Sequence, residues 1–282
     1  MIETLLQPFQ FSSMQNAFWI AMIVAPPTAL LSCFLVLRGW ALMGDAVSHA
    51  VLPGIVLAYI LNIPLLIGAF AAGMCCTLLT GYLSGNSRVK QDTVMGVVFS
   101  GMFALGIVLY TSISTNVHLD HVLFGNMLGV GREDLQTAGL ISVVVTAVLL
   151  LKWRDFMLHA FDPAQAQASG LRTGWLHYGL LSILSLTIVA TLSSVGLILA
   201  IGLLIAPGAI AFLVVRSFGR MLVVATVICL SAMLTGTYLS FFLDSATGPT
   251  IILVLTGIFI AAFLRRLAQT RAQSRALPGT GW

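Results

Sequence analysis

The sequence predicts an all-α fold: a polytopic transmembrane helical bundle of about eight or nine spans. Three observations predict it. Of 282 residues, 59% are hydrophobic and only 8% are charged, whereas a soluble domain carries about a quarter charged residues. Apolar runs of around 20 residues recur along the chain, the length a helix needs to cross ~30 Å of hydrocarbon. The short polar–apolar alternation of a membrane barrel is missing.

In chain order, the spans fall at 14–37, 41–61, 64–83, 93–112, 134–151, 177–194, 196–215, 221–243 and 249–264. The first thirty residues contain Glu3 as their single charge. A cleavable signal opens on a positive charge, so the first span is expected to stay as an anchor. Asn62-Ile63-Pro64 separates the second and third spans, and Ser84-Gly85-Asn86 closes the third. The fourth holds Gly96, Gly101 and Gly106, small residues that let helices approach closely in lipid. The sixth and seventh are parted only at Ser193-Ser194-Val195-Gly196, and Thr247-Gly248-Pro249 opens the ninth. Cys33, Cys75, Cys76 and Cys229 lie inside apolar runs, at spacings that match neither a zinc motif nor a disulfide framework. They read as small core residues.

The cations orient the bundle. With the N-terminus outside, Arg38, Arg88, Lys90, Lys152, Arg154, Arg172, Arg216, Arg220, Arg265, Arg266, Arg271 and Arg275 are cytoplasmic, and Arg132 alone is outside. The flipped arrangement breaks the positive-inside rule. Glu3, Asp120, Glu133, Asp134 and Asp244 then face outward. The expected organisation is one transmembrane domain over 1–268, interrupted by a cytoplasmic loop at 152–176. A polar, basic cytoplasmic tail follows at 269–282, placed to lie near anionic lipid.

The second span carries the chemistry. Asp45 and His49 are four residues apart and share one helix face. With Arg38 at the cytoplasmic boundary, His49 falls near mid-membrane. An Asp at a helix centre costs about 2.5–3.5 kcal/mol on insertion scales, so it is kept where it faces a cavity, a partner or an ion. Pro53 has no N–H and removes the helical donor of the His49 carbonyl. A carboxylate, an imidazole and a carbonyl can thus point into one space, a donor set suited to Mn²⁺, Fe²⁺ or Zn²⁺. The same spacing also fits an Asp–His salt bridge that locks two helices, or a proton relay. A second cluster, His118, Asp120 and His121, lies in the outward loop after the fourth span. It can gather cations at an entrance, cap an interfacial helix or hydrogen-bond a docked protein. His159 and His177 read as ordinary interfacial residues.

In the cytoplasmic loop, Asp162 is a good N-cap and Pro163 suits the first helical position. Alanines and glutamines follow, beginning at Ala164, and Gly170 can end the helix. This predicts about two turns, ~10 Å long, flanked by Phe161 and Leu171. Such a helix suits docking into a groove on another protein, or lying on the bilayer. The chain has only two lysines, Lys90 and Lys152, and no Gly-x-x-x-x-Gly-Lys motif, so nucleotide cannot be held by a P-loop. There is also no His-Glu-x-x-His motif. A transport subunit is favoured over an enzyme, and no nucleic-acid partner is expected.

The stretch from Leu31 through Arg38-Gly39-Trp40-Ala41-Leu42-Met43-Gly44-Asp45-Ala46-Val47-Ser48-His49 to Gly54 resembles the metal-type ABC permeases of bacteria. So do Val89-Lys90-Gln91-Asp92-Thr93-Val94-Met95-Gly96, His118-Leu119-Asp120-His121-Val122-Leu123-Phe124-Gly125, Phe161-Asp162-Pro163 and Leu203-Leu204-Ile205-Ala206-Pro207. The chain looks closest to the manganese and chelated-iron branch; the zinc branch shares the Asp and His. The resemblance implies a type II ABC-importer-like fold of about eight spans. It implies a second permease subunit, the same or related, a cytoplasmic ABC ATPase dimer, and a periplasmic or lipid-anchored metal-binding protein. It places metal-path residues at Asp45 and His49 and the ATPase-coupling helix between Asp162 and Gly170. The expected function is divalent metal import, Mn²⁺ or Fe²⁺ first and Zn²⁺ next, with no permanently bound cofactor. A partner-free secondary transporter or channel is the competing class.

Overall fold

Residues 7–40, 42–112 and 127–276 are described by a computed structural model, with side chains to Arg271. Among them, nine helical segments are long and apolar enough to cross a membrane, and they match the nine predicted spans in order. The helices are α1 (Ser12–Arg38), α2 (Met43–Ala50), α3 (Leu52–Ile60), α4 (Leu65–Gly85), α5 (Gln91–Thr111), α6 (Arg132–Phe161), α7 (Pro163–Ala168), α8 (Thr173–Val195), α9 (Leu197–Val214), α10 (Phe218–Phe242) and α11 (Thr247–Ala276). The second span is built from α2 and α3 together.

α1 is the hub of one half of the bundle and packs on α6, α9 and α10. Ile20, Leu31, Phe34 and Leu35 on it are fully buried. It also contains Pro26 and Pro27, which a membrane helix tolerates when neighbouring hydroxyls re-satisfy the backbone. Pro26 and Pro27 leave the Met22 and Ile23 carbonyls without their helical donors, and the next residue, Thr28, adds a hydroxyl bond to the Val24 carbonyl at 2.8 Å. In the other half, α3, α4 and α5 pack on one another and α8 lies against α4. The short α2 bridges the halves, touching α4, α5, α8 and α9.

The tightest contact is between α3 and α4. A Cβ on Gly54 would overlap the carbonyl oxygen of Gly68, and one on Gly68 would overlap the carbonyl oxygen of Gly54. Backbone cannot yield as a side chain does, so Gly54→Ala and Gly68→Ala should each cost at least about 1–3 kcal/mol, the usual range for overpacking. The check is a lowered thermal unfolding midpoint in detergent; an unchanged midpoint for both would mean the two helices do not meet there.

Gly196 divides α8 from α9 with φ 84° and ψ 169°, a region open essentially to glycine alone. One residue therefore suffices to end one helix and begin the next. Two helices also outrun their predicted spans. α6 bends at Lys152 (φ −111°, ψ 15°) and continues as helix to Phe161, so the first part of the 152–176 loop is helical. α11 continues to Ala276 because its alanines, glutamines and arginines are strong helix formers even where hydropathy falls. At 1.5 Å per residue this 30-residue helix is about 45 Å long, and its last turns stand beyond a ~30 Å core.

Successive spans run antiparallel, which sorts the charges. Arg38 donates from Nη2 to the His159 carbonyl at 3.3 Å, and Phe161, Arg216 and Arg266 border one groove. The cationic chain ends therefore gather at one end of the bundle. Arg132, Glu133, Asp134 and Asp244 lie at the other.

Candidate metal path and coupling helix

Asp45 stands in the first turn of α2 and His49 in the last, an order that suits the helix dipole. Asp45 Oδ1 lies 3.4 Å from His49 Nε2, with the side chains 38% and 30% exposed. That distance is longer than a good hydrogen bond, and Nδ1 of His49 is buried with no partner. Because the pair sits on one helix, its contact does not clamp two helices together. The pair is a loosely joined carboxylate and imidazole on a partly open face.

The surrounding helices hold that face in place. Gly44 fits against Leu204 of α9, and Gly73 of α4 fits against Val47. Phe99 and Phe103 of α5 flank the His49 ring, with centroids 6.1 and 5.3 Å away. Those phenylalanines are 8 and 12 residues into α5 from Gln91, or about 12 and 18 Å from the cationic end. His49 therefore lies beside the middle turns of α5.

The span breaks near Pro53. α2 ends at Ala50, Val51 is the joint, and Pro53 lies within the first two positions of α3. The His49 carbonyl, lacking its i+4 donor, faces the N–H of Val51. Ser48 turns away and donates to the Gly44 carbonyl at 2.7 Å. Among the described residues no group of three or more His, Cys, Asp or Glu side chains comes together. Asp45 and His49 are thus a carboxylate–imidazole pair without a third such side chain among the described residues. His118, Asp120 and His121 lie outside the described residues.

The predicted cytoplasmic helix is α7, six residues long. Asp162 Oδ1 accepts the Gln165 N–H at 3.0 Å, and Pro163 follows as the first helical residue. Gly170 has φ 80°. Its N–H donates to the Gln167 carbonyl at 3.0 Å, and the Leu171 N–H donates to the Ala166 carbonyl at 3.1 Å. Those two bonds form a Schellman ending, so both ends of α7 are fixed by the residues the sequence singles out. Phe161 is 65% exposed, and Asp162, Pro163, Ala164 and Gly170 are exposed with it. Ala166 is fully buried and seats α7, which packs on α6.

The sequence reading misses a network beneath α7. Arg38 Cζ stacks 4.7 Å from the Trp40 ring centroid, and Trp40 Nε1 donates to Gln91 Oε1 at 3.1 Å. The His177 ring is 5.5 Å from Trp40 and 6.1 Å from His159. His159 is 4% exposed with both ring nitrogens unpartnered, so it is buried inside the cationic end of the bundle. The network joins the root of α2 to the residue three before Asp162. The signal for it was Arg38-Gly39-Trp40 itself, a helix-ending glycine between a cation and an aromatic ring.

The sequence profile of the ABC 3 transport family matches residues 10–266. The chelated iron transport system membrane protein YfeD of Yersinia pestis is 53% identical over 258 residues, covering 92% of this chain and 87% of its own length. The manganese transport system membrane protein MntB of Synechocystis is 45% identical over 260 residues, covering 92% and 85%. Among solved structures, PsaBC from Streptococcus pneumoniae in complex with Fab contains a chain that superposes with a TM-score of 0.83 at 33% identity, covering 93% of this chain and 95% of that one. An inward-facing metal-chelate type ABC transporter shares the fold, with a TM-score of 0.65 at 19% identity.

Proposed function

The chain belongs to the ABC 3 transport family, and we propose that it is the multi-pass inner-membrane permease of an ABC importer whose cargo is Mn²⁺ or Fe²⁺. The observation that carries this reading is the Asp45–His49 pair, 3.4 Å apart, on a short helix halfway through the membrane. Oxygen and imidazole donors suit these ions. The names of the iron and manganese relatives point the same way. Zn²⁺ accepts the same donors and is the nearest alternative cargo.

Two ligands from one chain cannot fill the shell of such an ion. A second permease subunit bearing an equivalent pair would raise the side-chain donors to four, with water completing the shell. Coordination of this kind is weak enough to release, as a passage requires. A metal-binding protein delivers the ion at the end bearing Asp244. A cytoplasmic ATPase dimer docks at the cationic end, which the positive-inside rule places with the C-terminus in the cytoplasm. ATP binding there moves α7, and α7 moves the helices beside the pair in an alternating-access cycle.

The test is uptake of radiolabelled Mn²⁺, Fe²⁺ and Zn²⁺ in cells with and without the chain, and in vesicles with and without the ATPase and ATP. Loss of ATP-dependent Mn²⁺ or Fe²⁺ uptake on deletion is expected. Transport by this chain alone in vesicles would show a secondary transporter or channel instead.

A further inference from the structure

We infer that the groove beside α7 is a second anchoring point for the ATPase, taking from it an apolar side chain flanked by a carboxylate. This inference rests on the function proposed above and extends it to residues outside α7. The groove encloses about 370 Å³. Leu37, Phe161, Phe212 and Phe218 form its apolar lining, and Arg216 and Arg266 also border it. These residues belong to the ends of α1, α6 and α9, the start of α10, the loop before it, and α11. The hollow is ringed by helix ends on the cationic side of the bundle, where a soluble partner can reach it.

The charge is one-sided. No carboxylate borders the groove, and among the described residues neither arginine has an ion pair. The neighbouring acids are engaged elsewhere, Asp155 with Lys152 at 3.3 Å and Asp162 with the Gln165 N–H. Two guanidinium groups beside an apolar hollow match an acidic–apolar protein segment, since arginine pairs with carboxylate through a planar fork of donors. Phe161 belongs to both the groove and the approach to α7, so one partner surface can cover both without a gap. An anionic phospholipid has the right charge, but it would approach from the side of the bundle and not from its end.

The experiment uses the tagged chain with its co-expressed cognate ATPase. The complex is placed in nanodiscs of phosphatidylcholine, with or without phosphatidylglycerol, and retained ATPase is measured across a NaCl series. The double variant Arg216→Gln/Arg266→Gln should retain about two- to thirty-fold less ATPase than wild type in 0.1 M salt, the span two exposed ion pairs supply. The loss should be equal in both lipids and should close toward 1 M salt, where charges are screened within about 3 Å. Arg216→Lys/Arg266→Lys should recover most of the retention. Wild-type retention by the glutamine variant, while Phe161→Ala loses the ATPase, overturns the groove and leaves α7 as the docking helix. A loss seen only with phosphatidylglycerol makes the groove a lipid site and overturns the inference. A wild-type chain that retains no ATPase overturns the parent reading along with it.

Discussion

Asp45→Ala and His49→Ala should each abolish metal accumulation while the transporter still assembles. The pair is the chain's sole described source of adjacent carboxylate and imidazole at mid-membrane depth, so losing either halves the donors available there. Even groups that only support a metal site cost about 10–100-fold in affinity or activity when removed, and a direct ligand should cost at least that. Folding should be spared. Both side chains are about a third exposed, and they meet in a 3.4 Å approach within one helix. Asp45→Asn keeps the shape and removes the charge, so it separates electrostatic attraction of the ion from packing. The measurements are radiolabelled uptake and size-exclusion of the assembled complex. Normal uptake by both alanine variants would sink the metal-path assignment.

Phe161→Ala and Ala164→Glu should cost the complex its ATPase, or leave ATP hydrolysis running without transport. Both side chains are exposed at the entry to α7, whose fold does not depend on them. The helix is held by the Asp162 cap, the Gly170 ending and buried Ala166. An effect of either change is therefore an effect on the outer surface. Asp162→Ala acts differently, because loss of an N-cap costs about 1 kcal/mol of helix stability and would loosen α7 itself. Co-purification and the ratio of ATP hydrolysed to metal moved distinguish the two. If both stay normal in Phe161→Ala and Ala164→Glu, another surface docks the motor.

Much of this was readable from the chain before any coordinates. Hydropathy located nine spans because lipid demands an unbroken apolar run for each crossing. Asp162-Pro163 and Gly170 announced both ends of α7, since caps are local chemistry. Asp45 and His49 stood out as costly groups in an apolar run. What the sequence hid was long-range. Phe99 and Phe103 carry no signal inside a span already rich in apolar residues, yet they frame His49. Arg38 and His159 are 121 residues apart, and nothing local links them. The burial of Ala166 depends on where α6 ends, and the charge at Lys152 marks the end of the apolar run but not of the helix, which bends there and continues.

The two phenyl rings beside His49 also bear on which ions could use the proposed metal path. An aqueous dication reaching that depth meets hydrocarbon on one side and two protein donors on the other, so it must shed part of its hydration shell. Mg²⁺ dehydrates reluctantly and favours six oxygens in strict octahedral order, and the rings offer it none. Mn²⁺ and Fe²⁺ accept imidazole in exchange for water. On that proposed path, discrimination against Mg²⁺ comes from the cost of desolvation, without any need for a cavity cut to a particular ionic radius.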